Sequence, residues 1–283
     1  MKKVFPMARR PTPDEISHAL FLYSDCGYSF DKAGAEIGVS GTAIRNHAKK
    51  QGVTSRSLSE AKRTVACDHE YFSGDLNEEK AYWIGFILAD GCLTDKKYGV
   101  TQRLTVRLAA CDLGHLVKLR ESLGSDHTIS TVEDGRSCQF SVSSSEMFND
   151  LCFYGCTPNK SATQKVSKNI PDNMLKHFYR GYFDGNGSIS PHKASKWSVN
   201  CVSSESFLTS FRDWVSSQIG GNPARIGFSY GIHRIAWSGT HRCREILDLI
   251  YKDAVIYLDR KMDKYLQIVR DSDSSPRGAY NRK

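Results

Sequence analysis

The sequence predicts an α+β fold. Two pseudo-symmetric units each read helix, two strands, helix, two strands, helix, behind a small all-α N-terminal domain. Three observations predict it. An apolar segment ending in a polar residue and glycine occurs twice, as Trp83-Ile84-Gly85-Phe86-Ile87-Leu88-Ala89-Asp90-Gly91 and as Tyr179-Arg180-Gly181-Tyr182-Phe183-Asp184-Gly185-Asn186-Gly187. After each copy, short segments alternate between apolar and polar residues, the period of a strand with one buried face. Ahead of both copies, apolar residues between Pro13 and Lys50 keep helical spacing.

The chain has 283 residues, enough for one large domain or two to three small ones with ample core. Its apolar fraction of 40% and charged fraction of 25% are ordinary for a globular protein. No apolar run approaches the roughly 20 residues of a membrane span. The start, Met1-Lys2-Lys3-Val4-Phe5-Pro6, lacks the apolar stretch of a signal peptide, so an intracellular location is expected. Nine cysteines without a repeated spacing argue against a disulfide framework. Cys152 and Cys156 have no second Cys or His pair to complete a zinc site. The net charge of +8 is compatible with a polyanionic partner.

The N-terminal domain is expected over residues 1–53. After a disordered basic lead, Ile16, Ala19, Leu20 and Tyr23 mark a first helix, and a second runs about Phe30 to Ile37. Gly38-Val39-Ser40 is a turn, with Ser40 as N-cap of a third helix over about Gly41–Lys50. Ala33, Ile37, Val39 and Ile44 would hold the last two helices together. Arg45, Asn46 and Lys49 would face outward. This is the pattern of a helix-turn-helix, whose second helix enters a DNA major groove. Residues 54–76 read as a linker with a short helix around Ser59–Ala66.

The first repeat spans 77–170. Asn77 caps a helix whose first turn carries Glu78 and Glu79, favourable to the helix dipole. A strand follows with Arg103, Thr105 and Arg107 opposite Leu104, Val106 and Leu108. A helix over about Leu113–Leu123 leads to a strand near His127–Val132. The next strand sets Gln139, Ser141 and Ser143 against Cys138, Phe140 and Val142. A helix near Ser145–Phe153 ends at Thr157-Pro158-Asn159-Lys160-Ser161. The second repeat, 171–270, keeps this order. Lys196, Ser198 and Asn200 alternate with Trp197, Val199 and Cys201, and a helix covers about Glu205–Ile219. Arg225, Gly227 and Ser229 oppose Ile226, Phe228 and Tyr230, then Arg234, Ala236 and Ser238 oppose Ile235 and Trp237. The last helices hold Ile246, Leu249 and Ile250, then Leu258 to Ile268. Residues 271–283 are expected to be a disordered tail. The polar strand faces carry basic and amide residues with almost no acid. That composition suits phosphate contact and base-edge readout of DNA.

These paired motifs, their spacing and the Pro158-Asn159-Lys160-Ser161 segment resemble the LAGLIDADG homing endonucleases in single-chain form, over about residues 77–270. The resemblance implies that the motif helices, about 78–90 and 173–186, pack side by side at a pseudo-twofold axis. Gly85, Ala89, Gly181 and Gly185 would permit their close approach. The two sheets would form a DNA-binding saddle on a monomer that recognises a long double-stranded site. The residue before each final glycine would be a carboxylate holding Mg²⁺ or another divalent cation, as in two-metal hydrolysis. Lys160 and Lys261 would stabilise charge on the phosphate or polarise water.

Asp90 fits that pattern and Asn186 departs from it. Asn supplies a neutral oxygen where the resemblance implies an anion, so the second metal position is weaker. Three readings follow: an endonuclease that cuts both strands, a strand-biased nickase, and a sequence-specific DNA-binding regulator that has lost cutting.

Overall fold

The computed structural model describes residues 10–55, 65–95, 101–133, 135–160, 163–193 and 196–274. The chain forms two compact units, 1–64 and 65–283.

In the first unit, α1 (Pro13–Ser24) begins at Thr12, whose side chain and that of Glu15 form a capping box. Ser29 caps α2 (Phe30–Glu36) and Ser40 caps α3 (Gly41–Lys50). Ala33, Ile44 and Ala48 are buried, with Ile37 and Val39 half-buried against the same cluster. Tyr23 stacks on Phe30 at 3.8 Å. Gly34 lets α2 approach the turn before α3, since a Cβ there would lie 2.7 Å from the Val39 carbonyl oxygen.

In the second unit, α4 (Glu78–Asp90) leads directly into β1 (Gly91–Thr94). Then come β2 (Arg103–Ala109), a 3-10 turn, α5 (Leu113–Ser122), β3 (Ser130–Val132), β4 (Ser137–Ser143) and α6 (Ser145–Phe153). The second half repeats the order with α7 (Leu175–Asn186), β5 (Gly187–His192), β6 (Lys196–Ser203), α8 (Glu205–Ile219), β7 (Ile226–Ser229), β8 (Ile232–Ser238), α9 (Thr240–Tyr251) and α10 (Asp259–Asp273). Each half builds one antiparallel sheet, ordered β1-β2-β4-β3 and β5-β6-β8-β7. The alternating residues Leu104, Val106, Phe140 and Val142 in one sheet and Val199, Cys201 and Ile235 in the other are buried against the helices.

The motif helices α4 and α7 form the centre of this unit. A Cβ on Gly85 would fall inside the Phe178 carbonyl oxygen, and one on Gly181 inside that of Tyr82. The two backbones therefore touch at paired glycines. One turn further along, a Cβ on Gly185 would collide with Ala89.

Three expectations need correction. Residues 65–76 do not behave as linker: Phe72 is fully buried in the core and the Asp68 N–H donates to the Leu123 carbonyl at 2.8 Å. Most of the short helix expected at Ser59–Ala66 lies outside the described residues. The expected tail begins as helix, because α10 continues to Asp273 and Asp271 accepts from the Trp197 indole at 2.7 Å. Finally, Ile226, Phe228 and Tyr230 do not form a buried face. Phe228 on β7 and Tyr230 in the β7–β8 turn are exposed, while Ile226 is half-buried against the core.

Candidate active site

Both motif helices stop in the same way. Gly91 and Gly187 have φ of −79° and −87°, so neither needs glycine for a left-handed turn. The need is steric: a Cβ would lie 2.7 Å from the Ile87 carbonyl oxygen in one and 2.5 Å from that of Phe183 in the other. The chain must leave each helix tight against its last turn, which places Asp90 and Asn186 as the final helical residues. A Cβ on Gly185 would lie 3.3 Å from the Asp90 carboxylate, so the end of one helix abuts the end of the other.

A carboxylate at a helix C-terminus sits against the negative end of the helix dipole. Asp90 is thus poorly placed for stability, and its surroundings compensate. The density of protein around it pushes its pKa up, while Lys261, Lys160 and Arg260 push it down. The side chain also reaches solvent, which weakens the first effect.

The two lysines are buried and paired with the helix ends. Lys160 Nζ donates to the Gly91 carbonyl. Lys261 Nζ donates to the carbonyls of Phe183 at 2.5 Å and Asp184 at 2.7 Å. These three carbonyls lie at the C-terminal ends of the motif helices, where a cation is favourable. Burial lowers both ammonium groups, Lys261 to about 8, with Asp184 and Asp90 opposing that shift. Asn159, at a left-handed φ of 56°, turns the chain to deliver Lys160.

Asp184 lies in the same last turn, but its side chain is turned into the protein. Its carboxylate is 1% exposed and accepts from the hydroxyls of Tyr82 (2.7 Å) and Tyr251 and from the Leu258 N–H (2.8 Å). It ties both motif helices to the start of α10. Burial raises its pKa, against the pull of Lys261 and these donors. Arg260 pairs with Asp112 across the two halves at 2.9 Å.

Asn186 is half-buried, and its amide nitrogen donates to the Tyr182 hydroxyl at 2.9 Å. Its carbonyl oxygen is then the polar atom left to act as a ligand. Among the described residues no three His, Cys, Asp or Glu side chains converge on a metal position. The fit to Mg²⁺ rests on hard oxygens. Asp90 and Asn186 each provide one.

The polar strand faces are continuous across each sheet. Thr105 pairs with both Cys92 and Ser141, and its hydroxyl is 3.0 Å from that of Ser141. Arg103 donates to Ser143 at 3.3 Å, and Gln139 to Ser141 at 3.4 Å. In the second sheet Ser198 and Asn200 are half-exposed, opposite Ser190 and Ser188. Arg234 is exposed on β8 opposite Gly227, Lys196 is exposed at the start of β6, and Arg225 and Ser229 are exposed at the two ends of β7. An acid missed by sequence reasoning stands at the first face: Glu133, in the β3–β4 turn, forms an ion pair with Arg107. Strands β1 and β5, implied by the strand count but not located, add Cys92, Thr94, Ser188 and Ser190 to these faces. Their short alternation straight after each motif glycine was the available signal.

In the first unit, Arg45, Asn46 and Lys49 are exposed on α3. The Arg45 guanidinium lies 5.5 Å from the Phe30 ring centre.

No family model and no curated protein matches the sequence. Its structure is similar to solved ones. The LAGLIDADG meganuclease I-AabMI, bound to uncleaved DNA, matches 70% of this chain and 91% of its own, at 14% identity and a TM-score of 0.50. The LAGLIDADG homing endonuclease I-GzeII, in complex with its DNA target, matches 71% of this chain and 92% of its own, at 11% identity and a TM-score of 0.51. The similarity is one of fold.

Proposed function

We propose that this chain, built on the two-unit α+β LAGLIDADG fold, is a site-specific endonuclease of the homing type. It hydrolyses phosphodiester bonds of double-stranded DNA with a divalent cation and cuts the two strands at different rates. One observation carries the reading: Asp90 and Asn186 end two helices that abut, and each helix end is neutralised by a buried lysine. The DNA complexes of I-AabMI and I-GzeII support the same partner.

Asp90 and Asn186 would hold Mg²⁺ by their oxygens, together with phosphate. The cation would lower the pKa of water and stabilise the leaving oxygen. Lys160 and Lys261 place positive charge beside the phosphate while keeping the helix ends rigid. Arg103, Thr105, Arg107, Gln139 and Ser141 would read one half of a long site. Lys196, Ser198, Asn200, Arg225, Ser229 and Arg234 would read the other. Both motif copies lie in one chain, so a monomer suffices. Residues 1–53 would act as a helix-turn-helix module, with Arg45, Asn46 and Lys49 toward DNA.

The test uses a supercoiled plasmid carrying a duplex selected by binding to the full chain, incubated with Mg²⁺. Open circles that become linear slowly are expected. Asn186→Asp supplies a second negative charge and is expected to speed linearisation at least about tenfold, equivalent to ~1.4 kcal/mol. Intact plasmid from both proteins, despite tight binding, would instead establish the second reading, a DNA-binding regulator, which the uncharged Asn186 favours.

The lysine makes a pH prediction. Burial lowers the Lys261 ammonium to about 8, so above that pH the positive charge beside the second helix end is lost. Cleavage of the slower strand is expected to decline above pH 8, and Lys261→Arg to move that limb higher. An alkaline limb unmoved by the substitution would detach Lys261 from the chemistry.

A further inference from the structure

We infer that Tyr182 and Gln164 are positioning residues that lock Asn186 as a neutral oxygen donor and so set the difference in rate between the two strands. The inference rests on the endonuclease reading for its kinetic consequence, but the positioning itself is geometric.

The hydrogen bonds have one consistent direction. Asn186 Nδ2 donates to the Tyr182 hydroxyl at 2.9 Å. Tyr182 has a single proton, which goes to Gln164 Oε1 at 2.7 Å or to Ser203 Oγ at 2.6 Å. Ser203 in turn reaches Gln164 Oε1 at 3.1 Å. Gln164 Nε2 then donates to the Leu88 carbonyl at 2.9 Å. Leu88 lies in the last turn of α4, two residues before Asp90, where carbonyls lack helical partners. One polar chain therefore runs from the end of α7 to the end of α4.

Tyr182, Gln164 and Ser203 are all buried. In a dry site an unpaired donor or acceptor is expensive, so the direction of each bond is enforced. A donor at position 186 completes this chain, whereas a carboxylate there would force Tyr182 to turn its proton around. Asn186 is the residue that the surrounding network fits, rather than a decayed acid. Among the described residues the first half has no such device. Phe86 stands four residues before Asp90 as Tyr182 stands four before Asn186, and it has no hydroxyl. Asp90 is left to be held by charge, and Asn186 by hydrogen bonds.

The test compares wild type with Tyr182→Phe. The ring should stay in place, because it stacks on Phe207 at 3.7 Å. Cleavage of a duplex labelled on both strands is followed with Mg²⁺. Terbium luminescence measures ion binding to the protein–DNA complex without cleavage. The expected result is a further loss of about tenfold on the slower strand, the scale of one hydrogen bond, with the faster strand within about twofold. Terbium should bind about tenfold more weakly at one of two sites. Gln164→Met is expected to act in the same direction and serves if Tyr182→Phe fails to fold. Tyr265→Phe removes a hydroxyl bonded to Asp248 at 2.7 Å, which is not a member of this hydrogen-bonded chain, and should change neither readout. Equal losses on both strands, or unchanged terbium binding in both network variants, would overturn the inference. A wild type that binds DNA and two terbium ions but cuts neither strand would sink the endonuclease reading, and the terbium comparison would still decide the positioning.

Discussion

Asp90→Ala should abolish strand cleavage, by about 10³-fold or more, the rate equivalent of ~4 kcal/mol of lost charge stabilisation. Binding to a selected duplex should stay within about threefold, because one small side chain leaves the strand faces untouched. Asp90 is exposed at the end of α4, where a negative charge opposes the helix dipole. Its removal should therefore leave the melting temperature unchanged or slightly raised. A variant that loses cleavage because it melts early would remove the evidence for a catalytic role. One that still cuts would refute the assignment of Asp90 outright.

The largest structural effect is expected at the helix pair. In Gly181→Ala the new Cβ would fall inside the Tyr82 carbonyl oxygen and 2.9 Å from the Phe86 nitrogen. Both are backbone atoms of an opposing helix and cannot swing aside as a side chain would. The helices must separate, and the loss is expected to reach about 3 kcal/mol, the upper range for overpacking. For a unit of this size that lowers the melting temperature by roughly 6–12 °C. Gly114→Ala is the contrast. No atom lies within 4 Å of its Cβ position in α5, so alanine should stabilise by a few tenths to about 1 kcal/mol. Calorimetry of both variants checks the pair, and similar melting temperatures would show that the glycine contact is not what sets the helix spacing.

The sequence made the architecture legible where a local period reported it. The duplicated helices, the Asn77 cap and the alternation in β2, β4, β6 and β8 are all short-range patterns. The β7 error shows the limit of alternation. It tells which residues share a face but not whether anything covers that face, and Phe228 and Tyr230 meet solvent. The family resemblance suggested Asp90, Asn186, Lys160 and Lys261 as a group, and the fold brings their elements to one end. What holds them there left no trace in any window. Gln164 and Leu88 are far apart in the chain, as are Arg260 and Asp112. Arg180 is the clearest case. An arginine in a motif reads as a surface residue, yet it is fully buried because Glu78 and the carbonyls of Ile250 and Ile256 satisfy its guanidinium.

That guanidinium has a consequence for anyone who would exchange the two halves with those of other proteins. Arg180 belongs to the second half and its carboxylate partner, Glu78, to the first. Asp184 takes its tyrosine from across the same seam, and α10 is moored to Lys118 and Asp112 of the opposite repeat. A chimera that kept only the glycines would match the helices in shape and strand a buried cation without its counter-charge. The halves look like interchangeable modules in their sequence pattern, but the seam between them is keyed by charge. A working hybrid would have to carry Glu78, Asp112 and Lys118 along with any transplanted second half.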